Sequence, residues 1–145
     1  QPDADLSADD YRVFQQCGRP RFFRKNQSDI LHHPDEKAGL DSGGKSGIGL
    51  EYQILDDDKH PDAKQGVVGN RTLASLYDLI PSYKPDMRFQ RKPGEWNQGR
   101  IVVLPDNTVQ HWLNGFKVIE YERKSNIYDV LVARSKYSKY QGFGA

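Results

Sequence analysis

Arg100-Ile101-Val102-Val103-Leu104-Pro105-Asp106-Asn107-Thr108-Val109-Gln110-His111-Trp112-Leu113-Asn114-Gly115-Phe116-Lys117-Val118-Ile119-Glu120-Tyr121 is the run that decides the fold class. Short segments rich in β-branched and aromatic residues are separated by two turn signals. Pro105-Asp106-Asn107 makes the first turn. Asn114-Gly115 makes the second, because both residues tolerate the positive φ of a tight hairpin turn. The pattern predicts an antiparallel meander of three strands over 100–104, 108–113 and 116–121. Just beyond it, Ser125-Asn126 caps a short helix over 127–135, with Ile127, Val130, Leu131 and Arg134 at helical spacing.

Upstream, Gly47-Ile48-Gly49-Leu50-Glu51-Tyr52-Gln53-Ile54-Leu55 alternates like a further strand. Ile48, Leu50, Tyr52 and Ile54 fall on one face; Gly49, Glu51 and Gln53 fall on the other. A strand that buries one face and shows a carboxylate beside an amide on the other predicts a sheet with a polar working surface. The polar loop Asp56-Asp57-Asp58-Lys59-His60-Pro61-Asp62 follows. Its oxygens and its single imidazole make calcium conceivable. The spacing departs from the glycine-centred calcium loop, so a solvated loop is the better expectation. Residues 81–94, with three prolines, read as a long surface loop.

The N-terminal third is less orderly. Leu6 to Phe14 reads as a short helix capped by Ser7. Arg19-Pro20-Arg21-Phe22-Phe23-Arg24-Lys25 interleaves basic and aromatic residues but reads as a solvated, half-ordered segment. His32 and His33 are adjacent and point in different directions, which argues against a joint metal site. Asp41-Ser42-Gly43-Gly44-Lys45-Ser46-Gly47 lacks the spacing of a phosphate loop and reads as a flexible turn. The expected organisation is therefore a partly disordered segment over 1–45 and one β domain over 46–145.

Composition narrows the partners. The 21 Lys+Arg against 20 Asp+Glu leave a net charge of +1, so no single-sign field argues for nucleic acid. There is no apolar run long enough to insert into a membrane. Cys17 is the single cysteine and reads as a bystander. The sequence opens on Gln1 rather than Met, which is expected of a processed or trimmed chain.

Several longer motifs occur in a fixed order: Gly47 to Asp57, His60-Pro61-Asp62-Ala63, Gly69-Asn70-Arg71-Thr72, Ser75-Leu76-Tyr77-Asp78, Gly94-Glu95-Trp96-Asn97 and His111-Trp112-Leu113-Asn114-Gly115. In these the run from about Ser46 to Ala145 resembles the central part of the 3-keto-disaccharide hydrolase family. The resemblance implies a mainly β, concanavalin-like antiparallel β-sandwich, or jelly roll, incomplete at both ends in this chain and carrying one or two short helices. It also implies a carbohydrate substrate and bacterial enzymes of the periplasm or cell surface. Open sheet edges would then offer a route to oligomers.

The chemistry so implied is cleavage of 3-keto-glycosides. A ketone at C3 acidifies the C2 proton and makes the glycosidic oxygen on C1 a β-leaving group. A base, an acid and donors around the ketone are needed. Glu51 is the candidate base. His111 is the candidate acid, although a histidine between Val109 and Leu113 is more often a core residue. The candidate substrate contacts are Gln53, His60, Asn70, Arg71, Tyr77, Asp78, Trp96 and Asn97. Asn70 serves equally well as a turn former, and Trp96 is expected to pack under the meander rather than stack on a sugar. The competing readings are a non-catalytic carbohydrate-binding module and an inactive truncated relative.

Overall fold

The computed structural model describes residues 9–16, 19–24 and 49–144. Among them runs a five-stranded open sheet. Its strands are β1 (Asp9–Gln16), β2 (Arg19–Arg24), β3 (Asn97–Val103), β4 (Thr108–Leu113) and β5 (Phe116–Glu122). The spatial order is β2-β1-β3-β4-β5, and every neighbouring pair is antiparallel. The helix α1 (Asn126–Arg134) and two 3-10 turns, the first at Pro61–Lys64 and the second at Lys136–Lys139, are the other regular elements among the described residues.

The meander matches its reading closely. Asn114 and Gly115 both take positive φ, 50° and 85°, as a two-residue hairpin between right-twisted strands requires. Val109, His111 and Leu113 point inward and alternate with less buried neighbours. The register shifts between His111 and Trp112, so that His111 faces Ile119 while Trp112 faces Lys117. Val118 is the extra residue of this bulge, which lets Val118 and Ile119 both reach the core.

Two local expectations are corrected at the N-terminus. Of the segment read as a helix capped by Ser7, the described part, from Asp9 on, is strand β1, paired from Asp9 with Val103 through Gln15 with Asn97. A capping box contributes about 1 kcal/mol, and ladder pairing on both sides of β1 outweighs it. The basic-aromatic segment read as half-ordered is strand β2, paired to β1 from Tyr11–Arg24 to Gln16–Arg19. The His32-His33 pair, the Asp41–Gly47 turn and Cys17 lie outside the described residues.

The helix forms where expected, with the Ser125 hydroxyl accepting from the Tyr128 amide at 3.2 Å. Its buried face differs from the predicted stripe. Ile127 and Val130 are exposed, whereas Tyr128 is buried and Leu131 and Val132 pack against the core. Tyr128 stacks on Tyr121 with centroids 5.9 Å apart. A large aromatic removes more apolar area from water than a lone isoleucine, and that fixes the rotation of the helix.

The core lies between one face of the sheet and a layer built from residues 50–80 with the C-terminal segment. It joins Leu50, Tyr52, Leu73, Leu76 and Leu79 to Ile101, Val109, Leu113 and Ile119, with Tyr128, Tyr137 and Phe143 at its margin. Of the stretch Gly47–Leu55, predicted as a strand, the described residues 49–55 are not members of the sheet. Tyr52 makes one isolated antiparallel bridge with Leu76, flanked by Gln53 N–Ser75 O and Tyr77 N–Glu51 O bonds of 3.0 Å. Tyr52 crosses the sheet face instead. Its hydroxyl donates to the Trp112 carbonyl at 3.0 Å, and its phenol edge lies 3.0–3.2 Å from where a Cβ on Gly99 would stand. The alternation read in the sequence holds over 50–52, where Leu50 and Tyr52 are buried and Glu51 is exposed, and ends there: Gln53 is buried and Ile54 half-buried.

Candidate functional site

Because Tyr52 is anchored on the sheet, the neighbouring residue Glu51 is turned toward the opposite side. Beside it come Asp62 from the first 3-10 turn, Arg71, Tyr77 and Asp78 from the layer, and Lys136 and Tyr137 from the second 3-10 turn. These groups form one polar cluster, which we take as the candidate active site.

Arg71 organises it. The guanidinium donates from Nη1 to Asp62 Oδ1 at 2.9 Å and from Nε to Asp78 Oδ1 at 2.7 Å. Asp78 sits at φ 62°, a conformation that aspartate tolerates better than most residues. Its other oxygen accepts from the Lys136 amide at 3.0 Å. The Tyr77 hydroxyl hydrogen-bonds Asp62, and its ring carries the Arg71 guanidinium at 5.3 Å and the Lys136 Nζ at 3.9 Å.

The electrostatics divide the acids by task. Glu51 is exposed over much of its surface, yet enough protein surrounds the carboxyl that desolvation raises its pKa above the usual glutamate value. Lys136 pulls against this rise and Asp62 adds to it. No hydrogen bond engages the Glu51 carboxylate among the described residues. Burial also pushes Asp62 upward, but hydrogen bonds from Tyr77 and Arg71 outweigh it and hold Asp62 below the ordinary aspartate range. Tyr77 is pushed up to about 12, first by desolvation and then by its bond to Asp62. At neutral pH the cluster therefore holds an ionised Asp62, a protonated Tyr77 and a carboxylate tuned toward basicity.

The structure places the other predicted residues differently. Gln53 faces the same side as Glu51 but is buried. Its Oε1 accepts from the Ile54 amide, and its Nε2 reaches Asp62 Oδ2 at 3.5 Å. It underlies the cluster rather than standing open beside Glu51. Asn70 closes its own turn, accepting from the Val67 amide at 2.9 Å. His60 caps the first 3-10 turn, with Nδ1 accepting from the Asp62 amide at 3.2 Å. His111 is fully buried, its Nδ1 lies 3.0 Å from the Ala74 carbonyl oxygen, and its ring packs on Tyr52 at 4.8 Å. It is not among the groups that face the cluster.

Asn97 lies at the start of β3 in a clamp. Its Oδ1 accepts from the Arg91 amide and from Asn114 Nδ2, while its Nδ2 donates to the Arg91 carbonyl. Trp96, expected beneath the meander, is 40% exposed. It sits on the turn leading into β3, and β4 carries its own tryptophan. Asn97 and His60 line a separate cleft of about 320 Å³ with Arg91 and Glu95.

The acidic loop has definite partners. Asp57 pairs with Lys84 Nζ at 2.5 Å and accepts from the Leu73 amide at 2.6 Å, and Asp56 accepts from the Asp58 and Lys59 amides. Among the described residues no three histidine, cysteine or acidic side chains converge as metal ligands. No helix there is long and apolar enough to cross a membrane.

Sequence reading missed Lys136 and Asp62 as members of the cluster. Lys136 lies in a Tyr- and Lys-rich tail with no motif, 58 residues from its partner Asp78. Asp62 was read with the acidic loop, although its position one residue beyond a Pro in a turn, next to His60, was the available signal.

The comparisons agree with this architecture. The profile of the 3-keto-alpha-glucoside-1,2-lyase-like domain matches residues 11–139. The chain belongs to this family. The match begins well before Ser46 and so takes in most of β1 and all of β2. A 3-keto-disaccharide hydrolase from Bacteroides thetaiotaomicron is 44% identical over 90 residues, which is 61% of this chain and 29% of that protein. A crystal structure of a candidate glycosyl hydrolase from Parabacteroides distasonis superposes with a TM-score of 0.58 at 20% identity, over 95% of this chain and 54% of the other. The chain thus spans under a third of the curated relative and about half of the solved one. The family is concanavalin-like, and the described residues of this chain accordingly form mostly antiparallel strands in an open sheet with few helices.

Proposed function

We propose that this family member cleaves 3-keto-glycosides by taking the C2 proton and eliminating the C1 substituent, with water then adding back. The observation that carries this reading is Glu51: a carboxylate with no hydrogen bond among the described residues, raised in pKa, facing a protonated tyrosine and a lysine. Glu51 takes the proton from C2, and the C–H electron pair forms a C2–C3 double bond as the C3 carbonyl becomes an enolate. When the carbonyl re-forms, the pair shifts to C1–C2 and the C1–O bond breaks. The carboxylic acid of Glu51 and the Tyr77 hydroxyl are the donors at hand for the leaving oxygen. Addition of water across C1–C2 completes a net hydrolysis. Arg71, Asp62 and Asp78 hold Tyr77 and Lys136 in place and leave Glu51 as the proton acceptor.

The test is turnover of a 3-keto-glucoside. The expected result is release of the aglycone by the native protein and loss of that release in Glu51→Ala. Saturable sugar binding without turnover, indifferent to Glu51→Ala, would make the protein a binding module instead.

A further inference from the structure

Glu51 is not the only uncommitted charge in the cluster. Lys136 stands beside it, and its surroundings are unusual for a lysine near three carboxylates. Its ammonium makes no ion pair among the described residues. It lies instead over the Tyr77 ring at 3.9 Å and within 5.0 Å of the Tyr137 ring centre. Faces of aromatic rings attract a cation without cancelling its charge as a carboxylate would. Arg71, the other cation here, is bonded to both Asp62 and Asp78 and has its charge matched on two sides.

The backbone under Lys136 is held firmly. Its amide donates to Asp78 Oδ2 at 3.0 Å. The preceding Ser135 ends α1 and begins the next turn: its hydroxyl donates to the Val132 carbonyl at 2.8 Å and accepts from the Tyr137 amide at 3.0 Å. The ammonium thus rises from a fixed backbone position and lies over two rings, within the field of the Glu51 carboxyl.

Deprotonation next to a ketone creates negative charge on the carbonyl oxygen, away from the carbon that loses the proton. A base alone leaves that charge unanswered, and a fixed, unneutralised cation at the oxygen lowers the barrier most. Resting on the reading of Glu51 as the C2 base, we propose that Lys136 is the electrophilic catalytic residue that contacts the C3 oxygen and stabilises the enolate. Arg71, the other candidate cation for this oxygen, is committed to its two aspartates. Proton and charge then balance across two side chains: Glu51 gains the C2 proton and Lys136 compensates the oxyanion; as the carbonyl re-forms and the C1–O bond breaks, Glu51 passes its proton to the leaving oxygen and both side chains return to their starting states.

The experiment measures kcat and KM against pH for the native protein, Lys136→Met, Lys136→Gln and Lys136→Arg with a 3-keto-glucoside. Lys136 is exposed, so the variants keep the fold, checked by their unfolding midpoints. The proposal expects the plateau kcat of Lys136→Met and Lys136→Gln to fall by about 100-fold with KM changed less than about threefold. It expects Lys136→Arg to keep about a tenth of native activity, because the charge remains but the geometry alters. The acid limb should also move to higher pH, since the lysine's field lowers the Glu51 pKa. A limb that moves while the plateau stays native would show a merely electrostatic neighbour of Glu51 and overturn the proposal. A native protein that turns over no 3-keto-glucoside would overturn the underlying reading instead, and is seen before any variant is made.

Discussion

His111 Nδ1 lies 3.0 Å from the Ala74 carbonyl oxygen, across a buried contact that ties the central strand β4 to the layer bearing the site. Ala74 itself takes φ 66°, so the carbonyl is presented by a strained residue that the contact helps to hold. Replacing His111 with Ala removes a buried ring and leaves that acceptor without its partner. The expected loss is about 3 kcal/mol of stability, read as a lowered urea midpoint, with kcat per folded molecule reduced far less than in Glu51→Ala. A His111 variant that is fully stable but inactive would return this residue to the catalytic machinery.

The Asp57–Lys84 pair should behave as a staple. Lys84 Nζ also donates to the Leu73 carbonyl at 2.9 Å while Asp57 accepts from the Leu73 amide, so both ends of one residue are gripped. Lys84→Met leaves Asp57 largely buried without its cation. The expected cost is about 2–3 kcal/mol, and a double change with Asp57→Leu should recover part of it. Thermal unfolding of the three variants measures the coupling.

Gly99 is needed because the Tyr52 hydroxyl would lie 3.0 Å from a Cβ at that position. Gly99→Val should displace Tyr52 and cost about 1–3 kcal/mol. Glu51 rides on the same backbone, so the change should also lower kcat. Loss of stability with kcat intact would mean that the Tyr52 anchor does not position Glu51.

The Arg71 variants separate scaffold from chemistry. Arg71→Met removes the guanidinium that bonds both Asp62 and Asp78, and the Asp62 carboxylate should become easier to protonate. Since Asp62 is held below its ordinary pKa in the fold, its contribution to stability is present above that ordinary value and is lost as pH falls through the lowered one. The native protein should therefore lose stability as pH drops below about 4, and Arg71→Met should show a weaker dependence in the same window. A series of urea titrations from neutral to acid pH checks the sign.

Much of this was legible because the meander announces itself locally. Asn114-Gly115 fixes a turn, and β4 and β5 follow from alternation around it. The outward direction of Glu51 was legible for the same reason: period-two alternation holds between Leu50 and Tyr52 even outside a regular ladder. β1 was not legible, since its pairing with β3 joins residues more than eighty positions apart and no local signal reports it. Lys136 was hidden likewise, because its place depends on where α1 ends and on a bond to Asp78. Gln53 and Asn70 had the right chemistry for sugar contacts, but each has its side chain engaged by nearby groups.

The central claim is that Glu51 removes the C2 proton. Incubation of a 3-keto-glucoside in deuterated buffer, followed by NMR at C2, tests it most directly. The account predicts protein-dependent loss of the C2 proton signal, abolished in Glu51→Gln, with an acid limb above the ordinary glutamate value because desolvation raises the carboxyl. Deuterium incorporation that persists unchanged in Glu51→Gln would contradict it.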